Sequence, residues 1–100
     1  MIQKTQEIAG TSLQGYTHPT TRALLTAVLG EPITYEEGDK VTIEWGIRLG
    51  STIATVYDWK RYELGTPAND EVMRYHIGGN NENAVILVDT LIQLARKLAL

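Results

Sequence analysis

The chain has 100 residues, a formal net charge of −3 and no cysteine. Its length corresponds to one domain, which we assign to residues 1–100. The acidic balance argues against a general binder of nucleic-acid polymers, which normally carries a basic face. The lack of cysteine excludes disulfides and thiolate zinc sites, and we expect neither a metal nor a cofactor.

No segment resembles a secretion signal or a membrane span. The N-terminus lacks a basic segment followed by an apolar run. The longest apolar stretch, residues 84–88, is far too short to cross a bilayer. We therefore expect a soluble, intracellular protein with no membrane partner.

The first elements expected along the chain are a short strand at residues 12–16 and a helix that begins at residues 17–19. Thr17 can cap the free N–H groups of this helix, since a threonine hydroxyl accepts such bonds. Proline is tolerated in a first helical turn. Apolar residues then recur at helical spacing until Gly30 and Pro32 end the helix.

Residues 40–59 are predicted to form a β-hairpin. Apolar and polar side chains alternate without a break over the first ten of these residues, which is a strong strand signal. A Gly-Ser pair supplies the turn, because glycine accepts the positive φ that tight hairpins need. We expect the second strand to run from about Thr52 to Trp59, with Leu49 facing Thr52.

This register divides the hairpin into two faces, because directly paired residues share a face. The apolar face points to the core and carries Ile43, Trp45, Ile47, Ala54 and Val56. The other face is aromatic and charged and carries Thr42, Glu44, Arg48, Tyr57, Trp59 and Arg61. Such a face is typical of a ligand-binding or partner-binding surface, and the alternative is an ordinary solvated sheet face.

Asp58 falls on the core side in this register, opposite Ile43. A buried carboxylate needs a partner or a ligand, because an unpaired charge is costly away from water. The alternative, which we consider equally open, is that the strand ends or bulges before Asp58.

A loop, another strand and a long helix complete the predicted fold. Residues 64–70 are rich in loop formers, residues 72–77 form a strand with Arg74 and His76 on one face, and residues 82–99 form the helix. The apolar arc of this helix is wider than one small sheet covers, so we expect a homo-oligomer through the C-terminal helix.

The predicted fold class is α+β. We expect an antiparallel sheet of three to five strands with a central hairpin, packed by two helices of which the C-terminal one is long.

The stretch between the last strand and the last helix, residues 76–81, is the chemically most informative. Two glycines placed there can present several backbone N–H groups to one point, beside the positive end of the helix dipole. This arrangement favours phosphate binding by Gly78 and Gly79. The alternative is an ordinary tight turn into a capped helix.

Catalysis is poorly supported, and we do not expect an enzyme. His18 and His76 have no neighbouring nucleophile pattern, and no metal-ligand spacing is present. Binding of a nucleotide-type small ligand is better supported, since cationic groups hold phosphates and aromatic faces stack on bases. The candidate ligand-binding residues are Tyr57, Asp58, Trp59, Lys60, Arg61, Arg74, His76, Gly78, Gly79 and Asn80.

These residues are assigned three tasks in the hypothesis. Phosphate is held by Arg61, Arg74, His76 and the backbone of Gly78 and Gly79. A base stacks on Tyr57, Trp59 or Tyr62. A ribose hydroxyl or a base edge is read by Asp58 or Asn80, although capping of the helix is an alternative task for the asparagine.

Three segments resemble a widespread family of small bacteriophage accessory proteins. They are GTSLQGY at residues 10–16, TIATVYDWK at residues 52–60 and YHIGG at residues 75–79. Family members typically have a short helix ending in Gly-Glu-Pro, matched by residues 30–32, and an apolar C-terminal helix. The resemblance covers nearly the whole chain from Gly10, but Tyr75 stands where the family often has tryptophan.

The resemblance implies a phage origin and a dispensable role in the cytoplasm of the infected bacterial host. Several phage proteins of similar size are sponges that sequester nucleotide signals of bacterial immunity, such as cyclic oligonucleotides or ADP-ribose derivatives. By this analogy, the leading hypothesis is an anti-defence protein that binds such a signal without cleaving it.

Two alternatives remain open. One is a protein-interaction module that inhibits a host enzyme or defence effector through the face of Glu44, Tyr57 and Trp59. The other is a small nucleotide-cleaving enzyme, with His76 as general base and Asp58 orienting it.

Overall fold

The structure is a computed structural model that describes residues 2–5, 8 and 10–98. Its elements in chain order are β1 (Ile2–Lys4), β2 (Ser12–Tyr16), β3 (Thr20–Thr21), α1 (Arg22–Leu29), β4 (Ile33–Thr34), β5 (Ile43–Leu49), β6 (Thr52–Tyr57), β7 (Val72–Met73), β8 (His76–Gly79) and α2 (Asn83–Lys97). The main sheet is antiparallel and has six strands in the order β1-β5-β6-β8-β2, with β4 also paired to β5. Strands β3 and β7 form a second, two-stranded sheet. The α+β class is confirmed, and the sheet has one strand more than the upper end of the predicted range.

The hairpin of β5 and β6 has the predicted register. Leu49 faces Thr52, and Trp45 faces Val56. The apolar face of the hairpin is buried in the core, as predicted, with Ile43, Trp45, Ile47, Ala54 and Val56. Strand β6 ends at Tyr57, two residues earlier than expected.

Helix α1 begins at Arg22, so the prediction that it starts at residues 17–19 is wrong. The Thr21 hydroxyl caps it by accepting a hydrogen bond from the Leu24 N–H at 3.2 Å. Thr17 cannot do so, because its hydroxyl accepts the Tyr75 N–H at 2.9 Å instead. The predicted end is confirmed: Gly30 adopts a φ of 91° and donates its N–H to the Thr26 carbonyl.

The predicted strand at residues 72–77 is two short strands in different sheets. Strand β7 pairs with β3, while β8 lies in the main sheet between β6 and β2. Gly78 and Gly79 belong to β8, so the prediction that they form a turn is wrong. The chain turns toward α2 only at residues 80–82.

Helix α2 packs on the sheet face that carries Trp45 and Val56, which we call the inner face. Its buried residues are Ala84, Val88, Ile92 and Ala95. A close approach is possible because Gly79 has no side chain: a Cβ there would lie 2.4 Å from the Ala84 Cβ. The predicted helix is confirmed within its described part, and its expected last residue, Ala99, lies outside the described residues.

No helix in the described part of the chain is long and apolar enough to cross a membrane.

The contact between Gly79 and α2 predicts a large effect of adding one methyl group. In Gly79→Ala, the new Cβ would meet the Ala84 Cβ at 2.4 Å and the Ile53 carbonyl oxygen at 2.8 Å. We expect the free energy of unfolding, measured with urea, to fall by about 1–3 kcal/mol or more, because the crowded neighbours include backbone.

Gly15→Ala is the matched control. Its Cβ would lie 3.0 Å from Cγ2 of Val85, a side chain that can shift, so the loss should be smaller. Equal losses of unfolding free energy in the two variants would contradict the close packing of α2 against Gly79.

Candidate functional site

Four side chains form a row across the face of the sheet opposite the helices, which we call the outer face. Glu44 on β5 pairs with Tyr57 on β6, and Tyr57 pairs with His76 on β8. His76 in turn pairs with Tyr16 on β2. Because cross-strand partners share a face, these four residues form one continuous line, which we call the cross-strand row.

His76 is the centre of an aromatic cluster on this face. Its ring centroid lies 4.9 Å from that of Tyr16, 5.5 Å from that of Tyr57 and 5.7 Å from that of Trp59. Trp59 and His76 are inclined by only 30°. Such pairs add to the stability gained from burial, so the cluster is an ordered surface.

The cluster borders an open groove of about 430 Å³, which we call the outer groove. Its lining residues are Thr11, Ser12, Leu13, Tyr16, Tyr57, Trp59 and His76. Tyr16 is 51% exposed and Trp59 is 40% exposed, so ring surface is available to a ligand.

Burial favours the uncharged form of His76. Burial lowers its pKa below the ordinary value of 6.5, and the negative charge of Asp58 opposes this shift only in part. Neither ring nitrogen forms a hydrogen bond with another described residue. A neutral imidazole has one donor and one acceptor, and no described residue engages either of them.

Glu44 is a half-buried carboxylate at one end of the cross-strand row. Its Oε1 accepts a hydrogen bond from the Tyr35 hydroxyl at 2.9 Å. Burial raises the pKa of Glu44, the bond from Tyr35 lowers it, and the charge of Asp58 raises it further. Burial and the neighbouring Glu44 raise the pKa of Tyr35 to about 12, so Tyr35 remains a donor.

Lys60 places a positive charge beside the groove. Its backbone has a φ of 53°, an uncommon conformation for a residue with a side chain, and its N–H donates to the Lys40 carbonyl at 2.8 Å. Its Nζ lies 5.6 Å from the centre of the Trp59 ring, which is cation–π distance.

Asp58 is fully buried, and its partners are two backbone N–H groups and one threonine hydroxyl. Its Oδ1 accepts the N–H of Thr42 at 2.7 Å and that of Ile43 at 3.1 Å. Its Oδ2 accepts the Thr42 hydroxyl. Both alternatives for Asp58 hold in part, since the strand ends before it and its side chain is still buried.

The two candidate arginines have different surroundings. Arg61 is nearly buried and its Nη2 lies 2.7 Å from the Glu71 carboxylate, while its Nε donates to the Gly65 carbonyl. It therefore stabilises the loop after β6 and does not face the groove lining. Arg74 is exposed and donates from Nε to the carbonyl of Thr17, the residue after Tyr16.

The predicted phosphate-binding backbone is not available to a ligand. Gly78 and Gly79 are buried between β6 and β2, so their N–H groups are covered by neighbouring strands. Asn80 ties β8 to the hairpin turn: its Oδ1 accepts the Ile53 N–H at 2.9 Å and its Nδ2 donates to the Ser51 carbonyl at 2.7 Å.

The structure thus brings three candidate residues together in the groove, Tyr57, Trp59 and His76, with Lys60 beside them. Four further groove residues were not predicted from the sequence: Thr11, Ser12, Leu13 and Tyr16. A register shift between Leu13 and Gly15 interrupts the alternation of β2. The one sequence signal for these residues was the segment at residues 10–16, which resembles the phage family. No binding role was predicted for that segment.

The groove offers stacking, hydrogen bonding and charge to a ligand. Among the described residues, no three His, Asp or Glu side chains are placed to hold a metal ion. Comparison of the chain with protein-family models, with curated proteins and with solved structures finds no match in any of the three. The resemblance to phage accessory proteins therefore stays a prediction.

A structural role for Asp58 predicts a clear order of stabilities. Asp58→Ala leaves two buried N–H groups without an acceptor, each costing about 1–3 kcal/mol. Asp58→Asn keeps one carbonyl oxygen and should lose less. Urea unfolding measures both losses, and a wild-type stability of Asp58→Ala would mean that the carboxylate is not needed for the fold.

The lowered pKa of His76 predicts a pH-dependent stability. In His18→Gln, where His76 is the remaining histidine, its NMR titration midpoint should lie below 6.5. The unfolded chain then binds protons more readily than the folded chain, so the free energy of unfolding should fall as the pH drops from about 6.5 toward the folded-state pKa. Adding His76→Gln should remove this component. A midpoint at or above 6.5 would contradict the burial of the imidazole.

Proposed function

We propose that this protein binds and sequesters a nucleotide-type small ligand whose base stacks in the outer groove. The observation that carries the proposal is the cluster of three rings around His76, two of them with large exposed areas. Every base has an aromatic face, and stacking on such side chains contributes about 1–3 kcal/mol per base.

The phosphate groups of the ligand would be held by side chains and not by the glycine backbone. Lys60 Nζ lies 5.6 Å from the centre of the Trp59 ring, so its positive charge is next to the aromatic cluster in which the base would stack. Arg74 is anchored through Nε beside the end of β2, which leaves the outer nitrogens of its guanidinium for a phosphate. Arg61 is excluded from this task by its ion pair with Glu71.

The proposed role is that of a phage anti-defence protein acting in the cytoplasm of the infected host, without cleavage of the signal. This part of the proposal rests on the three segments that resemble the phage family. A sequestering protein needs tight binding, and we extend the proposal to a homo-oligomer through α2. Ile86, Leu94 and Leu98 support this extension, because each exposes more than half of its surface.

A protein-interaction module is the second candidate. The groove is open, and Leu13 on its rim is 49% exposed beside the equally exposed Tyr16. Aromatic and aliphatic side chains of this kind also serve as anchors in protein interfaces. In this alternative, the groove binds a segment of a host protein in the absence of any small molecule.

A thermal-shift screen of cyclic di- and trinucleotides and ADP-ribose derivatives tests the proposal. A ligand at a hundredfold excess over its Kd should stabilise the fold by about 2.7 kcal/mol. Trp59→Ala should raise the Kd of that ligand by roughly 5- to 150-fold through lost stacking. The matched control is Tyr62→Ala, which removes an exposed ring outside the groove lining.

Mass spectrometry of the ligand after heat release separates the outcomes. Intact ligand supports sequestration, and altered ligand would make the protein an enzyme. A panel with no shift at all would contradict nucleotide binding and favour the protein-interaction module.

A further inference from the structure

Glu44 lies within reach of any ring that stacks on Tyr57. The two residues are direct partners across β5 and β6. Cβ atoms of such partners are about 4.5–5.5 Å apart, which is less than the length of a glutamate side chain plus one hydrogen bond. Glu44 is thus the neighbour of the groove residue Tyr57, one strand away from the groove lining itself.

The Glu44 carboxylate is fixed in place but only half used. The Tyr35 hydroxyl donates to Oε1 at 2.9 Å, and no other described residue donates to this carboxylate. Within the part of the chain that the structure describes, Oε2 thus keeps its capacity to accept. The Tyr57 hydroxyl beside it is likewise without a hydrogen bond to another described residue. Two polar groups on neighbouring strands therefore have acceptor or donor capacity that no described residue uses, on a face that also carries exposed rings.

A carboxylate accepts hydrogen bonds and donates none. It therefore favours a base whose edge presents N–H groups. Guanine presents a ring N–H and an amino group side by side, whereas adenine presents an acceptor nitrogen next to its amino group. If adenine bound here, its acceptor nitrogen would face the carboxylate oxygen. Both acceptors would then be desolvated without a hydrogen bond, which is costly.

We propose that Glu44 selects the base in the outer groove by accepting hydrogen bonds from the ring N–H and amino group of a guanine-type edge. The inference rests on the proposed function and names the ligand class of the same site. Tyr35 acts as a positioning residue, because its hydroxyl donates to Oε1 and leaves Oε2 as the oxygen that accepts from the base.

The test compares the affinities of GMP, IMP and AMP, measured by quenching of tryptophan fluorescence or by NMR titration. The wild type should prefer GMP over AMP by roughly 5- to 150-fold. IMP, which keeps the ring N–H but lacks the amino group, should lie between them. Glu44→Gln should lose most of this preference, because an amide offers a donor as well as an acceptor.

Two further variants make the result specific. Glu31→Gln changes the net charge equally at an exposed residue elsewhere and should keep the wild-type preference. Tyr35→Phe keeps the carboxylate but frees it, so the ratio of GMP to AMP affinity should shrink while the AMP affinity changes little. If Glu44→Gln fails to fold, Tyr35→Phe alone tests whether Glu44 selects the base.

The nucleotide affinities of these variants distinguish a failure of base selection by Glu44 from a failure of base binding in the groove. If Glu44→Gln and Tyr35→Phe keep the GMP preference while Trp59→Ala weakens all three nucleotides, base selection by Glu44 is overturned and base stacking stands. Equal affinities of GMP and AMP for the wild type would also overturn it. If none of the three nucleotides binds the wild type at millimolar concentration, the base-binding function itself is contradicted.

Discussion

The buried carboxylate of Asp58 holds the open end of the hairpin together. It accepts the N–H groups of Thr42 and Ile43 on the facing strand, at the point where the ladder between β5 and β6 stops. The chain then leaves the sheet through Lys60, with its positive φ. Trp59 and Lys60 are both placed by this exit. The aromatic groove on one face of the sheet therefore depends on a charge buried on the other.

Gly78 and Gly79 affect packing on both faces of the main sheet, because successive residues of a strand face opposite sides. On the inner face, the missing side chain of Gly79 lets Ala84 of α2 come into contact with the sheet. On the outer face, a Cβ at Gly78 would lie 3.3 Å from Cε1 of Tyr57 and closer still to Thr55. The glycines thus bring a helix and a groove residue close to the same strand, which is a packing function and not an anion site.

Several features of the fold could be predicted because their signals are local. Unbroken alternation fixed the hairpin register and placed Tyr57 on the outer face. Other features depend on distant partners that local patterns do not contain. Thr17 does not cap α1 because Tyr75, far along the chain, engages its hydroxyl. A strand followed by two glycines is equally compatible with a turn and with a longer strand, and only the neighbouring strands β6 and β2 decide between them.

The edges of the main sheet have a consequence for the protein at high concentration. An exposed edge strand can pair with the edge of another copy and begin an aggregate. The irregular register of β2 around Gln14 disrupts the regular spacing that such pairing requires. The opposite edge is formed by two short strands paired to β5: β1 has three residues and ends in a lysine, and β4 has two residues. The open aromatic groove thus lies next to a sheet edge whose irregular backbone is poorly suited to pairing with another copy.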